Sequence, residues 1–451
     1  MNKVVEKKYL LTFVLVTCCF ALWGFANDIT NPMVKAFSKI FRMSVTDGAL
    51  VQLAFYGGYF CMALPAALFV RKYSFKAGLL MGLGLYAIGA LMFIPAKAIG
   101  SYYPFLIAYF VLTCGLSFLE TTANPYILSM GAKETATQRL NLAQAFNPIG
   151  SLAGMFVAMK FIQAKLNPLS TEERALLNED QFEAIKSADL SVLSRPYVII
   201  GAVLVVFFVV ILLLVKTQTK AEETHDQKFG PTVRRLWQNK PYRYGVVAQF
   251  FYVGVQIMCW TFIIQYGTRI FLNEGMTEQA AEVLSQRYNI VAMAIFCLSR
   301  FICTFLLKYI SSSKLLTYLG LAGAMLVLGV IFIDGRAGMI CLVAVSACMS
   351  LMFPTIYGIA LTDTGDDAKL GAAGLIMAIL GGSVLPPLQA RIIDGSGFGS
   401  ISSVNLSFVL PLVCFVVIVL YGKFITKNNK KPHAESAEIA ETQTNRPAGF
   451  P

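Results

Sequence analysis

Twelve apolar stretches decide what this chain can fold into. They lie near 10–37, 47–70, 77–96, 102–129, 137–163, 196–216, 244–272, 284–308, 314–333, 338–362, 368–393 and 402–425. Each approaches the ~20 residues that an α-helix needs to cross a bilayer. Lipid offers no hydrogen bonds to the backbone, so spanning segments of this kind are helices. The expected fold class is an all-α membrane protein with twelve transmembrane helices in two six-helix bundles. Of all residues, 57% are hydrophobic and 14% charged, whereas a soluble domain carries about 25% charged residues.

The stretches form two sets, 1–215 and 244–425, joined by a basic linker at 216–243. A polar tail, 426–451, is expected to be disordered. Weak echoes relate the sets six helices apart: VRKYS matches LKYIS, and TTANPYILSMG matches LMFPTIYGIAL. Parallel repeats place a substrate site midway through the membrane, between the bundles. The N-terminal run resembles a signal peptide, but it continues to Phe25 without a small-residue cleavage site. It is therefore expected to stay as the first span. Arg71, Lys72, Lys76, the linker and Lys427, Lys430 and Lys431 fall on one side if the helices alternate. The acidic loop from Lys165 to Arg195 falls on the other. The positive-inside rule then puts both termini in the cytoplasm.

Several function classes are disfavoured. The net charge of +12 is accounted for by this topology and calls for no nucleic acid. There is no Walker A, Ser–His–Asp or HExxH pattern, so the chain is not expected to be an enzyme. The ten cysteines lack metal-ligand spacing and read as small buried hydrophobes. Both histidines, His225 and His433, lie in hydrophilic segments. No cofactor or metal is expected.

Polar stripes within the apolar stretches carry the chemistry. Thr113, Ser117, Glu120 and Asn124 follow steps of four, three and four, which is one helical face. Asn141, Gln144, Asn147 and Ser151 form another. A carboxylate at bilayer depth costs about 2.5–3.5 kcal/mol even on the mild insertion scale, so two such faces imply a shared wet cavity. Interhelical hydrogen bonding is the alternative explanation. Pro125 and Pro148 loosen the helices beside the stripes. The first stretch adds Gly24, Asn27, Asp28 and Asn31 on one face. The seventh adds Gln249, Tyr252, Gln256 and Trp260, amides and aromatics suited to sugar hydroxyls and ring faces. Phe296 and Arg300 follow in the eighth, where Arg300 either snorkels to the surface or lines the cavity. Phe353 and Tyr357 lie in the tenth.

These stretches resemble the L-fucose:proton symporter family of the major facilitator superfamily, which includes glucose/galactose and N-acetylglucosamine transporters. The resemblance runs through all twelve helices. It rests on ALWGFAND, LAFYGGYF, FVRKYSFKAG, LETTANPY, RLNLAQAFN, AQFFYVGVQ and FPTIYG. It implies a proton-linked carboxylate at Glu120 and sugar-site amides at Gln144 and Asn147. It implies site aromatics at Phe296 and Phe353, although the family's founding sugar site has Tyr at the latter. The family's helix-1 aspartate falls on Asn31, and Asp28 stands one turn earlier where the family usually has Asn. Asp28 still reaches the same cavity, because residues three apart share a helix face.

The resulting expectation is a proton-coupled monosaccharide symporter, with L-fucose first among sugars, in a bacterial inner membrane and working as a monomer. Glu120 and Asp28 couple protons. Asn27, Asn31, Asn124, Gln144, Asn147, Gln256, Trp260, Phe296, Phe353 and Tyr357 bind substrate, and Arg300 is a candidate charge partner. The alternatives are glucose/galactose or N-acetylglucosamine transport, sodium coupling, or a membrane sugar sensor.

Overall fold

The computed structural model describes residues 4–30, 33–43, 50–169, 171–215, 229–362, 364–393, 395, 397, 399 and 401–444. Its helices in the first half are α1 (Leu10–Thr30), α2 (Met33–Ile40), α3 (Leu50–Lys72), α4 (Phe75–Leu91), α5 (Phe93–Ile99), α6 (Tyr102–Leu128), α7 (Ala136–Gln144), α8 (Asn147–Val157), α9 (Thr171–Ala175) and α10 (Glu179–Leu214). The short α11 (Phe229–Gln238) leads into the second half. There follow α12 (Lys240–Asn273), α13 (Glu278–Leu306), α14 (Ser312–Phe332), α15 (Gly335–Met349), α16 (Met352–Leu361), α17 (Ala368–Met377), α18 (Gly381–Ile393), α19 (Ser403–Leu406) and α20 (Val409–Thr444). Among the described residues, twelve helical segments are long and apolar enough to cross a membrane, matching the twelve stretches read from the sequence.

Proline and small residues break several spans in mid-course. The fifth span divides into α7 and α8 around Ala145–Phe146, with Pro148 in the first turn of α8. Pro148 has no N–H to donate, so it suits a helix start rather than an interior. The tenth span divides into α15 and α16 just before Pro354.

Close backbone approach holds α1 against α8. A Cβ on Gly24 would stand 2.0 Å from the Asn147 carbonyl oxygen, and one on Gly150 would stand 1.8 Å from that of Ala21. Lipid provides no hydrophobic drive between helices, so small residues that let backbones touch supply the packing. This contact sets the depth of the α1 polar face against that of the fifth span.

The halves meet along a seam on the side of the N-terminus. Asn141 Nδ2 donates to Thr355 Oγ1 at 3.1 Å, Gln138 Nε2 to the Thr304 carbonyl at 3.5 Å, and Arg300 Nη1 to the Gln144 carbonyl at 3.0 Å. The Lys369 ammonium sits 5.3 Å from the Phe75 ring centroid. The Arg139 guanidinium, fully buried nearby, donates to the carbonyls of Val4, Ile127 and Leu128. That contact ties the N-terminal segment to this end of the bundle.

Three expectations need correction. The region up to Arg195, read as a loop, is helical from Glu179. Asn178 caps this helix through Gln181 N. There Asp189 is buried against Arg174 at 2.6 Å, which lets a charged segment pack. The last helix runs on to Thr444, past the boundary drawn at 425, because Lys, Glu and Ala in this tail favour helix. Cys18 and Cys61, read as buried, are exposed; the outer surface of an apolar span accepts a thiol as readily as the core does. For Arg300, left open between snorkelling and an inward position, the inward one holds: it is 3% exposed and bonded across the seam.

Replacing Gly150 with Val is expected to destabilise the first bundle by at least about 1–3 kcal/mol, the usual cost of overpacking. Gly84→Ala provides the control, because a Cβ there meets only Phe208 at 3.7 Å. Thermal unfolding in detergent should show a lowered midpoint for the first variant and an unchanged one for the second.

Candidate functional site

Glu120 sits on the inner face of α6, 1% exposed. Its crevice is lined by Cys19, Phe20, Trp23, Leu119 and Ala123 and has no room for a water molecule. Neither carboxyl oxygen has a hydrogen-bond partner among the described residues. Tyr59 of α3 and Tyr357 of α16 lie close enough to feel a charge on Glu120. Their hydroxyls are buried and close no hydrogen bond of normal geometry. An ionised carboxylate here would lack both water and partner, an arrangement that costs several kcal/mol.

One helical turn from Glu120, Asn124 accepts a 2.7 Å hydrogen bond from Gln144 Nε2. Asn124 Nδ2 has no hydrogen-bond partner among the described residues and lies near Tyr357. The Gln144 main-chain carbonyl takes the hydrogen bond from Arg300. Arg300 also donates to the Ser350 carbonyl and lies 4.6 Å from the Phe296 ring centroid. A chain of contacts thus runs from the carboxyl face of α6 through the fifth span into α13 and α15 of the other half.

Aromatic rings from the second half continue this floor. Phe296 meets Trp260 edge to face at 4.9 Å, and Trp260 Nε1 donates to Ser346 Oγ at 3.3 Å. Tyr252 is fixed by the Met349 carbonyl at 3.1 Å and packs against Phe353, which stacks on Tyr357. Rings held this way present fixed apolar faces. Gln256 and Trp260 are half-buried, whereas Phe296, Phe353 and Tyr357 are sealed.

The α1 residues lie at the edge of this cluster. Asn147 Nδ2 reaches across to the Phe20 carbonyl at 3.1 Å. Asn27 is half-buried, with its Oδ1 unpartnered among the described residues. Asp28, also half-buried, lies close enough to Tyr56 of α3 to act on it electrostatically. Asn31 falls outside the described residues.

The structure therefore gathers Glu120, Asn124, Gln144, Arg300, Phe296, Phe353 and Tyr357 into one cluster that needs both halves. The ends of the two stripes do other work. Thr113 bonds back into its own helix, Ser117 Oγ donates to the Tyr59 carbonyl and Ser151 Oγ to the Gly24 carbonyl. Those are packing contacts. Tyr59 and Thr355 were missed as site residues. A search for amides and carboxylates passes over hydroxyls such as Tyr59 in LAFYGGYF and Thr355 in FPTIYG. Gln249 is fully buried with neither amide atom partnered among the described residues, one more polar group held inside the second half. No group of three or more side chains suited to a metal ion occurs among the described residues.

Comparison with known proteins agrees with this geometry. The Major Facilitator Superfamily pattern matches residues 16–387. An L-fucose-proton symporter of Haemophilus influenzae is 51% identical over 428 residues, covering 93% of this chain and 97% of that protein. A glucose/galactose transporter of Brucella abortus is 28% identical over 426 residues, covering 94% and 96%. The crystal structure of the Major Facilitator Superfamily transporter FucP in the outward conformation superposes with a TM-score of 0.83 at 31% identity, covering 93% of this chain and 99% of that one. With two bundles, a site shared between them and this extent of match, the chain belongs to the L-fucose:proton symporter family of the Major Facilitator Superfamily.

Proposed function

We propose that this protein carries a monosaccharide, L-fucose first among candidates, together with a proton into a bacterial cell across the inner membrane. The carrying observation is Glu120: a fully buried acid with no hydrogen-bond partner among the described residues, in a crevice too tight for water, one turn from an amide pair that closes against the other half. Stripped of water, the carboxylate is costly, so a proton on Glu120 permits the closed arrangement. When the cavity reopens, water returns and the charged form becomes tolerable, so the proton can leave. Sugar hydroxyls would bond the amides of Asn124, Gln144 and Asn147 and the half-buried Asn27 and Gln256. The faces of Trp260, Phe296 and Phe353 would cover the ring.

The moving parts are the bundles 1–215 and 244–425, with 216–243 as the linker. Both come from one chain, and the cluster is complete within it, which supports a monomer. The basic residues near the seam support a cytoplasmic placement of that side and of both termini. Closure there, with Asn27, Asn147, Gln256 and Trp260 half-exposed farther along, supports an outward-facing state. The 51% identity to a symporter named for L-fucose favours that sugar. Glucose or galactose is the second reading, favoured by the Brucella relative and by Phe353 offering no hydroxyl. Counterflow of labelled L-fucose, galactose and glucose in vesicles decides between them, and collapse of uptake by a protonophore but not by sodium removal establishes the coupling ion.

Glu120→Gln keeps shape and hydrogen bonding but cannot release a proton. Accumulation driven by a pH gradient should vanish while sugar-for-sugar exchange persists; concentrative uptake by the variant would show that the proton travels elsewhere. Gln144→Ala should weaken sugar affinity by about 1–3 kcal/mol, the cost of a lost buried hydrogen bond, and titration calorimetry reads this directly. Asp28 is assigned the helix-1 carboxylate role, with Asn31 as the matching amide. Asp28→Asn should abolish symport, and adding Asn31→Asp should restore much of it. Full activity in the single variant would reduce Asp28 to a solvated helix end.

A further inference from the structure

Helix α11 presents a face that the transport cycle as described leaves unused. Phe229, Val233 and Trp237 recur at every fourth residue and are 47%, 41% and 65% exposed. Spacing of four keeps them in one stripe along the helix. The adjacent face, Thr232 and Leu236, is buried against the protein. Arg234 flanks the stripe on its far side and is exposed, as is Lys240 just beyond. After one capping residue, Asn239, whose side chain accepts from Tyr242 N, the chain enters the membrane span Lys240–Asn273. The stripe thus lies within a few residues of the point where the chain crosses into lipid.

The buried face of α11 is seated on the seam. Arg235 grips Asp367 with both arms, Nε to Oδ2 at 2.9 Å and Nη2 to Oδ1 at 2.8 Å. Asp367 immediately precedes α17. A Cβ on Gly371 of α17 would lie 3.3 Å from Leu236 Cδ2, and the Gly371 carbonyl accepts from the Tyr242 hydroxyl at 2.9 Å. Helix α17 packs on α3 and α6 of the first half, and its Lys369 is the residue over Phe75. Opening this side of the protein requires α17 to leave α3 and α6, and α17 carries α11 with it.

We propose that α11 lies in the membrane–water interface as an anchor for anionic lipid headgroups and that, through Arg235–Asp367, it couples those lipids to the movement of α17. Aromatic and aliphatic side chains in one stripe, with a tryptophan and flanking cations, suit the headgroup boundary. The occupant is the bilayer rather than a soluble protein, because the stripe is pinned at the depth where a span begins. The flanking charge is positive, which favours anionic headgroups over zwitterionic ones. The lipid-binding half of this proposal does not depend on the transport reading; the coupling half does.

The test uses the full chain in liposomes of phosphatidylcholine, with or without phosphatidylglycerol, one lipid being brominated. Bromine quenches nearby tryptophan. Brominated phosphatidylglycerol should quench a component that brominated phosphatidylcholine quenches less at equal mole fraction. That component should be lost in Trp237→Ala, and its preference for phosphatidylglycerol should be lost in the double variant Arg234→Gln with Lys240→Gln. Equal quenching by both lipids would overturn the headgroup preference. Quenching of Trp237 by aqueous iodide instead of by lipid would leave the stripe in water, as a surface for a soluble partner, and overturn the proposal entirely. Uptake of labelled L-fucose should be several-fold faster with phosphatidylglycerol present, and Arg235→Gln should remove that stimulation while leaving the lipid quenching intact. Persistent stimulation in Arg235→Gln would overturn the coupling. If all forms transport nothing, the sugar assignment fails and the quenching result still stands.

Discussion

The cost of holding a charge in a dry membrane interior governs this structure. Lipid leaves each polar group to find its partner within the protein. Glu120 has none. The packing around it comes from α1 and α6, with tyrosines from α3 and α16 within electrostatic reach. The acid therefore senses the first bundle and its contact with the second at once. Any motion that lets water through the seam changes what charge the site can hold, and any change of charge alters how readily the seam closes. On the proposed assignment of the proton to Glu120, coupling would follow from that reciprocity without a separate device.

The seam itself is built to be reversible. Among the described residues, its cross-half contacts include hydrogen bonds to carbonyls or hydroxyls, an ammonium over a ring and the Phe146–Phe301 ring contact. A hydrogen bond of this kind contributes a net ~0.5–1.5 kcal/mol, because water replaces it when it breaks. A few together hold one state by a few kcal/mol, the range in which a ligand can shift populations. Arg174 and Asp189 offer the contrast: a fully buried ion pair within one half, where nothing has to open. Removing one partner there would strand a charge, which suits a fixed corner and would suit a gate poorly.

Much of this was legible in the sequence, for identifiable reasons. Spanning helices announce themselves by length and apolarity, and the twelve stretches match the observed spans. Steps of three and four placed Glu120 with Asn124 and Gln144 with Asn147, because a helix converts spacing into direction. The same rule could not tell the ends of a stripe from its middle: Ser117 and Ser151 meet backbone carbonyls of a neighbouring helix, which spacing within one helix does not encode. Arg300 was ambiguous for a related reason. Snorkelling and burial give the same residue at the same depth, and only Ser350 and Gln144, distant in sequence, decide between them. Tyr59 shows the opposite limit. A hydroxyl on a large apolar ring reads as hydrophobic, and its place beside Glu120 depends on how α3 packs on α6.

Gln144 shows how sugar and gate can share a single part. Its side chain faces Asn124 and the carboxyl face of α6, whereas its main-chain carbonyl holds Arg300 of the other half. A ligand that draws the Gln144 amide toward its own hydroxyls tugs on the helix whose carbonyl closes the seam. Arg300 cannot simply be released, because a buried guanidinium needs acceptors; it must exchange the Gln144 carbonyl for water or another acceptor as the halves part. Empty return poses the complementary problem. On the proposed assignment, with no sugar and no proton Glu120 would carry a charge that a closed cavity must neutralise. The buried cation linked to its face through Gln144 is Arg300. On the proposed assignment, both the loaded and the empty crossings would run through the same short path of side chains, which is why such a site needs both halves of the chain.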